Sequence, residues 1–421
     1  MKPKAPHPGI RRRFGHAFPR RRPALGAVFA ALVSLGGLPP EAAPQSLDKP
    51  SVTIDEDVTA FAFAPDGRIA FSVRRMFKNK KYDMQRDDIW LQDTSGHRKR
   101  IFQGEHFIVA NPSMPVESER SADSDKEERG KKDKDKPGPP PFTYQVEGFS
   151  FSPNGRFVLV QLRTSTVTDE TSRPTDERMT LVLDESGREI KISGDNAVIH
   201  DALEATWLSD NVTIVYLTQA VQPNLLFSFR YANVKTGPAG PVFEGRTFIA
   251  SVPLPHSNSA VAIERDRNMS GPPRLQRLEL LAQDDKELAT LDGYETGLSV
   301  SPSGKLAGYY IDKEVLEIRD LENPNRVARV RIGLGAIQWA RDESWLLIKR
   351  SPERRSGDLV WIPLPPLAAM HSDEIPVAQP EPIPVLHSLT FRDFAISPDG
   401  RTLAVVPPGK RNLLLFPLPP H

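Results

Sequence analysis

The chain has 421 residues, of which 38% are hydrophobic and 26% charged, a balance typical of a globular protein with polar loops. Its 41 prolines argue against long helices, because proline breaks the interior of a helix. There is no cysteine, which excludes disulfides, thiolate metal sites, cysteine nucleophiles and the acylated cysteine of a lipoprotein.

The net charge of +1 hides an uneven distribution. Residues 1–43 carry eight basic side chains and one acidic one, so 47 basic and 53 acidic residues remain after them, a net of −6. Binding to nucleic acid relies on a basic surface that neutralises phosphates. The acidic remainder therefore argues against a nucleic-acid partner.

The N-terminal segment has the layout of an export signal. Residues 1–22 are rich in arginine and free of acids, and Ala24–Leu38 form an apolar run that ends at two prolines. The run is short for a transmembrane helix, which needs about 20 apolar residues. We therefore interpret residues 1–45 as a signal peptide or export segment, with an uncleaved anchor as the alternative, and predict a periplasmic or secreted protein. Arg11–Phe14 match part of a twin-arginine motif, and the export route stays open.

A phrase of alternating apolar residues, then Ser-Pro-Asp-Gly-Arg or a variant, then a second apolar run recurs along the chain. The alternation predicts strands with one buried face, and proline followed by Asp-Gly or Asn-Gly predicts a tight turn. Each phrase is therefore predicted to be a strand, a turn and a strand. The four clear copies are Phe61–Arg68, Phe149–Arg156, Leu298–Lys305 and Phe394–Arg401.

Three weaker copies keep the alternation but lose the glycine, namely Ala205–Asp210, Ala250–Pro255 and Ile337–Asp342. From Gly67 to Gly400 there are 333 residues in six intervals, or about 51 per interval once a charged insert is subtracted. That length suits a four-stranded propeller blade. The sequence thus predicts an all-β, single seven-bladed β-propeller over residues 50–421, with six or eight blades as alternatives.

The two ends of this region are predicted to complete one blade. The last unit runs out one strand short after Asn412–Phe416, and Pro50–Ile54 form an unassigned strand before the first unit. Pairing of these ends would close the ring and remove exposed strand edges. A third strand is predicted in each unit, as in Asp88–Asp93, and a fourth in some, as in Arg188–Ile192 and Arg326–Ile332.

The Ser-Pro-Asp-Gly-Arg phrases and the Asp-Ile-Trp-Leu-Gln-Asp strand resemble the WD-repeat-like propellers of TolB-type bacterial periplasmic proteins and of prolyl oligopeptidase-type peptidases. The resemblance covers residues 50–421. It implies a propeller fold, but that group includes scaffolds, substrate filters and enzymes.

Between the first two units, residues 115–141 consist almost entirely of charged and small residues. Glu117–Pro141 hold seven basic and eight acidic side chains and end in a proline-rich stretch. Such a segment buries too little apolar surface to order itself, so we predict a disordered insertion. A docking segment that folds on a partner is the alternative.

No catalytic constellation stands out in the sequence. The nearest match to a serine-hydrolase motif, Gly297–Ser301, ends in serine and lies in a predicted strand. The nine histidines form no H-E-x-x-H pair, and no phosphate-binding glycine loop occurs. We therefore predict a non-catalytic scaffold with no cofactor or metal, whose partner is another exported or envelope protein; the oligomeric state stays open.

Propellers often bind ligands in the central channel, near the start of each innermost strand. Counting back from the turns places Ile249 and Gly335 there, together with five candidate site residues: Thr59, Glu147, Glu204, Thr296 and Arg392. Glu147 and Glu204 could join in binding a hard cation such as Ca²⁺. This leaves two alternative functions, a metal-assisted lactonase-like or cyclase-like enzyme and an accessory propeller of a separate peptidase.

Overall fold

The computed structural model divides the chain into Met1–Ala43 and Pro44–His421, and the residues that it describes all belong to the second part. They are 47, 49–78, 83–104, 107–109, 142–166, 175–192, 198–221, 226–293, 296–350, 359–364, 377–378, 383–384, 393–407 and 412–418. The predicted export segment 1–45, the charged insertion 115–141 and Arg392 lie outside these ranges.

The described part of the chain is all strand and turn, as predicted, and its strands form six hydrogen-bonded sheets. Within the described ranges, no helix is long and apolar enough to cross a membrane.

The first sheet contains β2 (Val58–Phe63), β3 (Ile69–Lys78), β4 (Asp83–Gln92) and β5 (Arg98–Gln103), and β6 (Phe107–Val109) also pairs with β4. The second contains β7 (Phe142–Phe151), β8 (Phe157–Thr166), β9 (Thr175–Asp184) and β10 (Val198–His200). The third has eight strands: β11 (Leu203–Trp207), β12 (Thr213–Val221), β13 (Leu226–Asn233), β14 (Gly237–Val242), β15 (Phe248–Pro253), β16 (Ser259–Glu264), β17 (Arg274–Glu279) and β18 (Asp284–Thr290).

The fourth sheet contains β19 (Thr296–Val300), β20 (Leu306–Tyr310), β21 (Val315–Asp320), β22 (Val327–Arg331) and β26 (Val377–Ala378). The fifth contains β23 (Gly335–Trp339), β24 (Trp345–Arg350), β25 (Leu359–Pro363) and β27 (Ile383–Pro384). The sixth contains β28 (Asp393–Ile396), β29 (Thr402–Val406), β30 (Leu413–Pro417) and β1 (Val52–Ile54).

The first and last strands of the described chain pair with each other. Val52 lies opposite Leu415, and Ile54 lies opposite Leu413 in antiparallel register. Ile54 is fully buried in a cluster that also includes Phe71 and Leu413. The predicted closure by terminal strands is confirmed.

Neighbouring sheets meet through their first strands. The strand β28 contacts β2, β2 contacts β7, β7 contacts β11, β15 contacts β19, and β19 contacts β23. The core lies between adjacent sheets, where Ile89 of the first sheet and Val160 of the second share one apolar cluster. In the eight-stranded sheet, two four-stranded meanders are joined by a single residue pair, Phe227 and Phe248.

The turns between first and second strands each contain a left-handed residue, including those that lack glycine. Gly67, Gly155, Gly304 and Gly400 have φ values from 69° to 88°, the left-handed region that glycine tolerates best. Two of the weaker copies place Asn211 and Glu343 at the glycine position, with φ values of 62° and 63°. In the third, the left-handed residue is His256, with a φ of 58°, one position earlier in the turn. A left-handed turn therefore forms at these positions without glycine.

These turns also bond to one another from sheet to sheet. Arg68 Nη2 donates to the Gly155 carbonyl at 2.9 Å, and the backbone N of Asn154 donates to Asn211 Oδ1 at 2.7 Å. Further along, Ser303 N donates to Glu343 Oε1 at 2.6 Å. We call this edge of the sheets the turn face.

We call the opposite edge the hairpin face. The strands that reach it are longest in the first three units. The hairpins β3/β4 and β8/β9 have ten residues per strand, and β12 and β13 have nine and eight. In the other described hairpins between second and third strands, each strand has five or six residues. Because successive connections of an antiparallel meander alternate between its two edges, all three long hairpins project to the hairpin face. Four extra residues at about 3.3 Å each extend a strand by roughly 13 Å.

One predicted strand differs from the structure. Residues Arg188–Ile192 contribute only an isolated bridge between Leu183 and Glu189, and the outer strand of that sheet is β10 instead. Asp184 Oδ1 accepts hydrogen bonds from the backbone N of Ser186 and of Arg188 in the turn that precedes this segment, and Ile190 N donates to the Val182 carbonyl at 2.9 Å without forming a strand. The strand predicted over Arg326–Ile332 is confirmed as β22.

Candidate functional site

The structure brings two of the five candidate residues onto one cavity. Glu147 on β7 and Glu204 on β11 both line it, whereas Thr59 and Thr296 do not. Thr59 Oγ1 instead hydrogen-bonds Ser72 Oγ on the neighbouring strand. Thr296 is exposed at the start of β19, and Arg392 lies outside the described residues.

The cavity lies between the second sheet and the first meander of the third, and it has a volume of about 240 Å³. Strands of the long hairpins β8/β9 and β12/β13 supply much of its wall. Its polar lining is Glu147, Gln161, Arg178 and Glu204, and its apolar lining is Leu162, Met179, Ala202, Leu203, Leu217 and Phe227. The cavity thus combines two carboxylates and one guanidinium with an apolar wall.

Glu147 faces one arginine on the neighbouring strand β8 and one on β9, the next strand of the sheet. Arg163 Nη1 lies 3.7 Å from its Oε1, and Arg178 Nε lies 3.6 Å from its Oε2. These distances are too long for hydrogen bonds, and ion pairs at this degree of exposure contribute little stability. The carboxylate of Glu147 therefore keeps capacity to accept hydrogen bonds.

Glu204 sits in a strained backbone position. Its φ is 49°, and the pairing of β11 with β12 shifts register between Leu203 and Thr206. Such a conformation costs about 1 kcal/mol or more for a residue other than glycine. Among the described residues, no hydrogen bond or ion pair reaches its carboxylate.

The environment raises the pKa of Glu204. The side chain is open to solvent, but the surrounding cavity walls remove part of its hydration, and this desolvation disfavours the charged form more than the nearby Arg178 favours it. A strained, partly desolvated carboxylate in a cavity is the kind of group found at functional sites.

Replacing Glu204 by glutamine is expected to raise the melting temperature at pH 7. A folded-state pKa above the unfolded value means that protonated Glu204 favours folding; this contribution is complete below the unfolded pKa of 4.5 and is lost as pH rises through the folded pKa. Glutamine does not ionise and so avoids that loss of stability. The increase in melting temperature should therefore vanish below pH 4. Thermal unfolding from pH 3.5 to 8 tests this, and an equal shift at all pH values would contradict it.

Sequence reasoning missed Gln161 and Arg178. It considered only the innermost strands, whereas Gln161 lies on β8 and Arg178 lies on the extended part of β9. Among the described residues, no group of three or more His, Cys, Asp and Glu could hold a metal ion. The calcium hypothesis, which needs six to eight oxygen ligands, stays a prediction.

No family model matches the chain, and no curated protein matches it. Among solved structures, it matches a WD40 propeller chain in the crystal structure of a mitotic checkpoint complex, with a TM-score of 0.52 and 11% identity over 90% of this chain and 98% of that one. Identity this low shows the fold alone. Together with the antiparallel sheets, the likeness confirms the predicted all-β, WD-repeat-like propeller. The particular resemblance to TolB-type bacterial proteins stays a prediction.

Proposed function

We propose that the chain is an exported, seven-bladed propeller that acts as a non-catalytic scaffold and binds another envelope protein through its hairpin face. The count of seven is supported by dividing the eight-stranded sheet at its single Phe227–Phe248 pair, which gives seven units of four or five strands. The proposed export is supported by the basic and apolar segment at residues 1–45.

The observation that carries the binding proposal is the asymmetry of the hairpins. Three consecutive units extend their second and third strands toward one face, and β6 adds a further strand to β4 there. An extension that only stabilised the ring would be expected in every unit. A raised platform over three neighbouring units instead suits an interface.

The side chains on this platform are of the types that dominate protein interfaces. Met76 is 57% exposed, and it neighbours Arg75, whose guanidinium is held by both carboxylate oxygens of Glu56 at 2.9 and 3.1 Å. Arginine and methionine are enriched at interfaces, and arginine is enriched at binding hot spots. The ion pair fixes the arginine in place before a partner binds, which lowers the entropic cost of binding.

A photo-crosslinking amino acid at position 76 is expected to trap one partner protein in the envelope fraction of source cells. Leu281 is the matched control, because it is 53% exposed and lies in a turn after a third strand, on the turn face. The same crosslinker at position 281 should leave that partner untrapped. Equal trapping at both positions, or recovery of the protein only from the cytosol, would contradict the proposal.

A further inference from the structure

The cavity beneath the long hairpins has features of a site for a cationic group. Its lining holds two carboxylates and one guanidinium. A second guanidinium, that of Arg163, lies 3.7 Å from Glu147, so Glu204 is the carboxylate that has no ion pair among the described residues. Glu204 has no hydrogen-bond partner among the described residues, and the contacts of Glu147 with its arginines exceed 3.5 Å. Both carboxylates can therefore accept hydrogen bonds from an incoming donor.

The size and lining of the cavity limit what can enter. Its volume of about 240 Å³ lies below the roughly 300–1,000 Å³ of sites for drug-sized ligands. Leu203, Leu217 and Phe227 give it an apolar wall, which suits a methylene chain that ends in a charge. A single long basic side chain meets both requirements.

The backbone conformation of Glu204 also supports a binding role for its carboxylate. Glycine would relieve the strain at φ 49°, and asparagine tolerates the left-handed region better than glutamate. A charged, longer residue in this position places a carboxylate at the cavity despite its conformational cost. Strain of this kind gathers at binding sites.

We propose that this cavity receives one arginine or lysine side chain of the partner protein, with Glu204 and Glu147 accepting hydrogen bonds from its charged end. The inference rests on the proposed scaffold function and assigns its anchoring contact. Calcium would compete with the basic side chain for the same two carboxylates. The positive charge of Arg178 would weaken the binding of both.

The test uses the purified full chain and three probes, N-acetyl-arginine amide, N-acetyl-lysine amide and the neutral N-acetyl-citrulline amide, followed by NMR titration. We expect one or both basic probes to bind, more weakly at higher salt, and citrulline to bind at least tenfold more weakly than arginine. Glu204→Gln should weaken the basic probe about tenfold, as the loss of one charge-assisted hydrogen bond implies. Glu189→Gln, an exposed carboxylate outside the cavity, should leave binding unchanged.

Two further variants separate binding from folding. Arg178→Gln should strengthen binding of the basic probe a few-fold, because it removes a competing cation. Glu204→Gly should abolish binding while raising the melting temperature, because it relieves the strained φ. Citrulline binding as well as arginine, calcium binding in place of both basic probes, or unchanged affinity in Glu204→Gln would each overturn the proposal.

Failure of this inference and failure of the scaffold proposal give different results. If crosslinking at position 76 traps a partner but no basic probe binds, the scaffold stands and the cavity assignment falls. If the probe binds through Glu204 but position 76 traps nothing, the cavity assignment stands without a partner on the hairpin face.

Discussion

Asp87→Ala is expected to lower the free energy of unfolding by about 3–5 kcal/mol, the usual cost of leaving one charge of a buried pair without its partner. Asp87 is fully buried on β4. Its two carboxylate oxygens accept hydrogen bonds from Arg74 Nε and Nη2, each at 2.9 Å. One of them also accepts from the backbone N of Val146 on β7, at 3.0 Å. The carboxylate therefore joins the hairpin of the first sheet to the second sheet.

The adjacent pair of Arg75 and Glu56 provides the control. It is also bidentate, but its side chains are 37% and 32% exposed, so Glu56→Ala should cost only about 0–1 kcal/mol. In the double variant Asp87→Leu, Arg74→Met, both charges are removed, so part of the lost stability should return, but the Val146 N–H still lacks its acceptor. Urea unfolding measures all three. A cost for Asp87→Ala no larger than that for Glu56→Ala would contradict the bridging role.

Much of the fold was predictable because its signals are local. The alternation in Phe61–Arg68 and its relatives fixes which side chains face inward, and the following turn fixes where the strand ends. The closure of the last sheet by β1 was predictable because the last unit lacks one strand and the first strand of the region belongs to no other unit. In contrast, the left-handed conformation of Glu343 could not be predicted, because glutamate gives no signal for a positive φ. Asparagine and histidine, as at Asn211 and His256, are enriched in that region but do not by themselves mark a turn.

The site was predictable only in part because it depends on contacts between sheets. Counting along the innermost strands found Glu147 and Glu204, but Arg178 reaches them from a third strand whose length has no clear signal. In the extensions of β3 and β4, runs such as Arg74-Arg75-Met76 and Gln85-Arg86-Asp87-Asp88 break the alternation. Two ion pairs hold these runs in the sheet, Arg74 with Asp87 across the β3–β4 pair and Arg86 with Asp88 along β4. Sequence spacing does not show the first of them.

Ile54→Ala is expected to lower the free energy of unfolding by about 2–5 kcal/mol, within the range for truncating a buried isoleucine. Ile54 is fully buried in a cluster shared with Leu413 and Phe71, so it packs the terminal strand into the last sheet and against the first. Val52, two residues away on the same strand, is 38% exposed. Val52→Ala should therefore cost less than 1 kcal/mol by chemical denaturation.

The same closure predicts rescue by a covalent bond. Thr53 and Leu414 are Cα partners of the β1–β30 pair, and antiparallel partners about 4.5–5.5 Å apart suit a disulfide. Because the chain has no cysteine, Thr53→Cys with Leu414→Cys in the Ile54→Ala background can form only this one intramolecular bond. The free energy of unfolding of the oxidised form should exceed that of its own reduced form by about 2–4 kcal/mol. If oxidation added nothing although mass analysis showed the bond formed, the terminal strand would not limit stability, and ring closure would not explain how a cysteine-free propeller holds together.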